Sequence, residues 1–303
     1  MIRTKSGAAG LSIASNATLI ALKLAAGAIT GSIAILTEAI HSLIDLVASV
    51  IAFVSVRKAG EPADAEHPYG HEKVENLAAN VEGILILVGA GIIVYEATHR
   101  LVVGSEVESL GVGIAVMAFS MIANLGVSET LSRTARRTDS PALAGDAAHL
   151  RTDALTSAGV LLGLALVEIT GDAAFDSITA LVVAVAIVFA GIRIIRRSSG
   201  VLVDEALPEG EMDRVEAAIA AARTPEVAGY HKLRGRRAGK RRLIDLHVQF
   251  QSGTSLERAH RVAHQMRDEV EAGLPGAEVL IHVEPEASLR EADDAEQGPY
   301  RSG

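Results

Sequence analysis

The chain has 303 residues, of which 49% are apolar and 21% charged, with a mean hydropathy of +0.31, a net charge of −9 and no cysteine. A soluble domain spreads roughly 25% charged residues along its length, but here charge is scarce in the first two thirds and dense in the last, which excludes a purely soluble, a disordered or a fibrous chain. The acidic balance, the absence of Trp and an aromatic share of 3% argue against a nucleic-acid partner, and the lack of Cys leaves only His and carboxylate to build a metal site.

Six apolar runs reach the length of about 20 residues that a bilayer crossing needs: 9–30, 33–56, 77–102, 108–131, 142–168 and 175–195. The first begins after MIRTKSG without a small-residue cleavage site and reads as a retained helix. Gly31-Ser32 predicts a tight turn after it. Lys and Arg in short loops set orientation. Arg3 and Lys5 precede the first run, and Arg57, Lys58 and Lys73 follow the second. Arg133, Arg136 and Arg137 separate the fourth from the fifth, and Arg193, Arg196 and Arg197 follow the sixth. The opposite loops hold Arg100 among Glu106, Glu108, Glu168 and Asp172. Both termini are therefore expected in the cytoplasm.

After residue 203 the pattern becomes that of a water-soluble unit. Residues 209–222 read as a helix with acidic residues in its first turn. Residues 229–251 alternate like two strands around a Gly-containing turn. A helix over 255–273 is opened by Ser255, and 278–284 reads as a last strand. This α-β-β-α-β order predicts a small open sheet with helices on one face. The expected domains are a six-helix transmembrane domain (1–203), a cytoplasmic α+β domain (204–286) and a disordered acidic tail (287–303).

The second and fifth runs share a pattern: His41-x-x-x-Asp45-x-x-x-Ser49 and His149-x-x-x-Asp153-x-x-x-Ser157. Spacing of i, i+4 puts each His and Asp on one helix face. Ionisable groups at such depth are expensive and mark a site or pathway by default. At 1.5 Å per residue both aspartates fall near the middle of a ~30 Å core. Two imidazoles and two carboxylates form an N2O2 set suited to tetrahedral Zn²⁺ at ~2.0–2.2 Å. The bland alternative is a pair of buried hydrogen bonds joining helices. Two pairs at matching depth on oppositely directed helices favour the metal. The two triplets of runs have opposite topology, an inverted 3+3 arrangement with a midplane site.

With these motifs the chain resembles the cation diffusion facilitator family over nearly its whole length. The resemblance implies a homodimeric transporter in a lipid bilayer, exporting divalent metal from the cytoplasm in exchange for protons. It also implies a ferredoxin-like, metallochaperone-like cytoplasmic domain for dimerisation and metal sensing. His41 at the first motif position, where some members carry Asp, favours Zn²⁺ as transported and regulatory ion, with Cd²⁺, Fe²⁺, Mn²⁺ and Co²⁺ as alternatives. Asp64, His67 and His71, three candidate ligands within eight residues, match a secondary loop site in the family. In the cytoplasmic domain the resemblance implicates His231, His247, His260, His282 and Glu284 in a binuclear site at the dimer interface. Val283 departs from members with a polar residue there, and His264 has no counterpart, so it is expected as an exposed helical His. A bacterial inner membrane is the expected location.

Several charged residues carry an ordinary reading. Lys23 is expected to snorkel or pair within the bundle, Arg151 to meet phosphate or a carboxylate near the interface, and Glu38 to guide ions or pack. The small residues of the third run read as close helix packing. Three competing functions remain: a membrane-embedded zinc hydrolase, which needs an open coordination position and a general base; a metal-sensing membrane protein that does not transport; and a passive channel.

Overall fold

The computed structural model describes residues 4–30, 33–103, 111–172 and 174–286. The Gly31-Ser32 turn and the acidic tail beyond residue 286 lie outside the described residues. The chain divides into two compact units at Leu202 and Val203.

The first unit consists of six long helices: α1 (Lys5–Thr30), α2 (Ile33–Ala59), α3 (Val74–Val103), α4 (Gly111–Thr138), α5 (Pro141–Thr170) and α6 (Ala174–Leu202). Among the described residues four stretches are long and apolar enough to cross a membrane: Lys5–Ala26, Val74–Val102, Pro141–Thr170 and Ala174–Leu202. α2 and α4 are outside that set, so the expected count of six spans is not reached on length and composition alone. The helices also outlast the apolar runs. Arg133, Arg136 and Arg137 lie inside α4, and Arg193, Arg196 and Arg197 inside α6, where loops were expected. Arg is a good helix former, and a helix satisfies its own backbone in lipid and in water alike.

Pairings in the two triplets correspond: α1 packs on α2 as α4 does on α5, and each helix meets its counterpart, α1 on α4, α2 on α5 and α3 on α6. α5 begins with Ser140, whose hydroxyl accepts from the Leu143 N–H and donates to Glu75, and ends at Gly171 with φ 74°. Polarity is inverted relative to a soluble bundle. Leu43, Val47, Val50 and Val54 on α2 and Ile178, Val182, Val185 and Phe189 on α6 face outward. Ser12, Asn16, Asp45, Ser49, Glu82, Asp146 and His149 are buried. Apolar belts of this size mark a lipid-facing surface.

In the second unit α7 (Glu209–Ala222), β1 (Val227–Ala238), β2 (Arg241–Phe250), α8 (Leu256–Gly273) and β3 (Ala277–Pro285) follow the expected order. β1 pairs antiparallel with β2, and β2 parallel with β3, in the sheet order β1-β2-β3. Alternate residues Ile244, Leu246, Val248 and Phe250 of β2 join Met212, Val215 and Ile219 of α7 and Val262, Met266 and Val270 of α8 in one core. Both helices therefore cover one sheet face. The opposite parity, which includes His247, faces away from them. In β1 an irregularity between His231 and Arg234, with Lys232 at φ 53°, resets the alternation. That extra residue lets Leu233 enter the core while His231 stays opposite His247.

Candidate metal centre

Burial on α2 follows Ser42, Asp45, Ser49 and Ala52, and on α5 follows Leu143, Asp146, Leu150 and Ala154 with His149 beside them. These are stripes at helical spacing. Asp45 and Ser49 of the first motif and His149 of the second therefore turn inward. His149 Nε2 lies 3.1 Å from Asp45 Oδ1 and 3.9 Å from Asp153 Oδ2. One ligand atom from each of Asp45, His149 and Asp153 falls within 4.8 Å of the other two. Ligands on a tetrahedral ion at ~2.1 Å stand about 3.4 Å apart, so small side-chain movements close this triangle around Zn²⁺. The side chain of His41, the expected fourth ligand, lies outside the described residues.

Two neighbours of the site are invisible in the motif. Asp146, fully buried, accepts from Ser12 Oγ at 3.2 Å and Ser49 Oγ at 3.1 Å. Asn16 donates to Ser49 Oγ at 2.9 Å and to the Asp45 carbonyl at 3.4 Å. The Ser of the first motif thus ties α2 to α1 and α5. Glu82 of α3 is also fully buried, with Oε2 3.9 Å from His149 Nδ1. The signal for Glu82 in the sequence is an acid in the middle of an apolar run.

The other charged residues find ordinary partners. Lys23 donates to Ser42 Oγ at 2.8 Å, and Arg151 to Glu129 at 3.0 Å, the carboxylate option of the two expected. The side chain of Glu38 lies outside the described residues.

In the loop after α2, Asp64 Oδ1 accepts from the His67 backbone N–H at 2.7 Å and from that of Glu66 at 3.0 Å. The His67 bond holds the Asp64 carboxyl below its ordinary range. His67 Nδ1 and His71 Nε2 each lie 3.3 Å from one Asp64 oxygen. His71 is buried and Asp64 and His67 are exposed, and the three form a second set of candidate ligands.

The sheet of the second unit builds a third. His231 pairs with His247 across β1 and β2, and His247 with His282 across β2 and β3, so three imidazoles form a row on the helix-free face. Glu284, two residues past His282, accepts from His231 Nε2 at 2.9 Å and His247 Nδ1 at 2.6 Å. Burial pushes the Glu284 carboxyl up, and these two hydrogen bonds outweigh it and hold the group below its usual value. His231, His247 and Glu284 form the compact set, with His282 Nε2 3.5 Å from Glu284 Oε1. Within one chain His260 does not join them. It lies on the outer side of α8, whose core-facing residues are Ala259, Val262, Met266 and Val270, so the sheet stands between it and the imidazole row. His260 instead meets His264, ring centroids 4.2 Å apart, and His264 is half-buried where an exposed side chain was expected.

Comparison with known proteins gives the same division of the chain. Residues 10–203 match the cation efflux transmembrane domain, and residues 207–286 match the cation efflux protein cytoplasmic domain. The cation-efflux pump FieF of Klebsiella pneumoniae is 30% identical over 283 residues, 93% of each chain. FieF of Serratia proteamaculans is 32% identical over 267 residues, 88% of each. The uncharacterized transporter sll1263 of Synechocystis is 32% identical over 275 residues, 91% of this chain and 88% of its own. A solved structure of CzrB in its Zn form is 32% identical and covers 29% of this chain and 99% of its own, with a TM-score of 0.27. Family models matched along almost the entire length, buried ionisable ligands in an apolar helical domain and a separate α+β unit converge: the chain is an integral membrane protein of the cation diffusion facilitator family, a cation efflux transporter.

Proposed function

We propose that this protein exports Zn²⁺ from the cytoplasm in exchange for protons, as a homodimer in a bacterial inner membrane with both termini inside. The observation that carries this reading is the convergence of Asp45, His149 and Asp153 from two helices in a buried, Cys-free site. His41 is the fourth ligand in the reading, and the corresponding pairings of α1–α3 and α4–α6 support an inverted repeat around a midplane site. Neutral imidazole and ionised carboxylate bind the ion when the site opens inward. When it opens outward, protons compete for the same lone pairs, because metal ligands must be deprotonated. His titrates near neutral pH and is suited to carry a returning proton. Asp64, His67 and His71 act as a capture point on the entry side. His231, His247 and Glu284, with His282 at their edge, bind regulatory metal whose occupancy favours one dimer geometry.

The test is proton movement in proteoliposomes on addition of Zn²⁺, Cd²⁺, Fe²⁺, Mn²⁺ or Co²⁺. The reading expects the largest response with Zn²⁺ and its collapse when the proton gradient is dissipated. Zn²⁺ flux indifferent to that gradient would indicate a passive channel.

A further inference from the structure

Glu82 has no exposed surface, and neither of its carboxylate oxygens has a hydrogen-bond partner among the described residues. An acid buried without a partner is a costly feature for a helix to keep. Across from it, His149 Nδ1 is equally buried and equally without a hydrogen bond. The two face each other, with Glu82 Oε2 3.9 Å from Nδ1. On the other edge of the same ring, Nε2 meets Asp45 at 3.1 Å and Asp153 at 3.9 Å. One imidazole is thus flanked by carboxylates at both nitrogens, and only the edge shared with both aspartates can join them around an ion.

We propose that Glu82 is a positioning residue of the transport site. Its carboxylate accepts the Nδ1–H of His149 and so fixes Nε2 as the nitrogen that faces the ion. A ligating His almost always donates its second N–H to such a carboxylate, carbonyl or water, which sets ring orientation and raises ligand basicity. Closing 3.9 Å to hydrogen-bond length takes a movement of about 1 Å, within the reach of a Glu side chain.

The packing of α3 on α5 is shaped for this approach. Gly145 lies one helical turn before His149. A Cβ there would stand 3.2 Å from both Glu82 Cβ and Cγ and 3.3 Å from Ala79 Cα. The bare backbone at Gly145 lets the Glu82 stem pass between the helices. Asp146, the other fully buried acid nearby, directs Oδ1 to Ser12 and Ser49. Among the described residues Glu82 is the carboxylate within ion-pair distance of Nδ1.

The inference rests on the reading of His149 as a ligand of the transported ion, and the test separates the two. Zn²⁺ flux in proteoliposomes is titrated with Zn²⁺ for the full-length protein and for Glu82→Leu, Glu82→Gln and His149→Ala, each first shown to be folded by size-exclusion chromatography. Glu82→Leu should raise KM about 10- to 100-fold, the range typical of lost outer-shell partners, with maximal flux nearly unchanged. Glu82→Gln, whose amide oxygen still accepts from Nδ1–H, should fall between wild type and Leu. A filler role predicts the opposite order, because Leu suits a buried apolar site better than Gln. Wild-type KM in Glu82→Leu, or Gln no better than Leu, would overturn the inference while His149→Ala remained inactive. Undiminished flux in His149→Ala would overturn the reading beneath it. Should Glu82→Leu fail to fold, Glu82→Gln against Glu82→Met decides by the same order.

Discussion

Asp45 on α2 and His149 on α5 are separated by 104 residues in the chain, yet their Oδ1 and Nε2 atoms lie 3.1 Å apart in the interior of the helical domain. The contact links the first motif to the second and holds two candidate ligands at nearly the spacing an ion requires. Asp45→Asn keeps the size and a hydrogen bond but removes the negative charge that offsets a divalent cation. Zn²⁺ flux of this variant should fall to the level of protein-free liposomes while thermal stability stays close to wild type.

Ser49 has a structural part to play beside that pair. Its hydroxyl connects Asp146, Asn16 and Ser12, and Asn16 also holds the Asp45 carbonyl. Ser49→Ala leaves Asp146 one donor short in a fully buried position. The expected cost is about 1–3 kcal/mol, read as a lower melting temperature in detergent. Because the link from Asn16 to Asp45 survives, Zn²⁺ flux should drop far less than with Asp45→Asn.

α3 and α6 approach closely through glycine. A Cβ on Gly191 would meet Leu87 Cδ2 at 2.9 Å and the Gly83 carbonyl at 3.2 Å, whereas one on Gly89 would meet nothing within 4 Å. Gly191→Val should therefore destabilise by about 1–3 kcal/mol through overpacking. Gly89→Ala should be neutral or stabilising, since it only trades helix-breaking freedom for propensity. Paired thermal melts of the two variants check the contrast.

In the second unit the Glu211 carboxylate accepts from Arg237 and, at 3.3 Å, from Arg242 Nε. Burial raises its pKa, but the two guanidinium groups prevail and hold it below the usual carboxylate range. A depressed carboxylate stabilises the fold above the unfolded-state value and loses that contribution as pH falls through the folded one. Glu211→Gln should cost about 1.5–3 kcal/mol at neutral pH. It should also flatten the decline in stability below pH 4.5, as followed by denaturant melts across an acid series.

Much of this architecture can be read from residue spacing. Helix α7 occupies the expected 209–222, and Ser255 caps α8 by accepting from the Arg258 N–H. The repeated His-x-x-x-Asp pattern singles out His41, Asp45, His149 and Asp153 as candidates because i, i+4 geometry is local. What spacing along one helix does not encode is the neighbour across it. Glu82 became part of the site only once α3 was packed against α5, and Asp146, on α5 itself, only through its bonds to Ser12 of α1 and Ser49 of α2. His260, which the resemblance assigns to a site at the dimer interface, is turned to the outer side of α8 by the apolar periodicity of Ala259, Val262, Ala263 and Met266. The helix ends escape the apolar runs for a related reason: hydropathy reports where lipid contact stops, and helices such as α4 and α6 continue beyond it.

The measurement that bears most directly on the transport site is the initial rate of Zn²⁺ uptake into proteoliposomes by wild type and by Asp153→Ala, compared in matched preparations of folded protein. Ion passage through Asp45, His149 and Asp153 predicts uptake by the wild type and none above protein-free liposomes for Asp153→Ala. Sustained, saturable Zn²⁺ uptake by Asp153→Ala would contradict it.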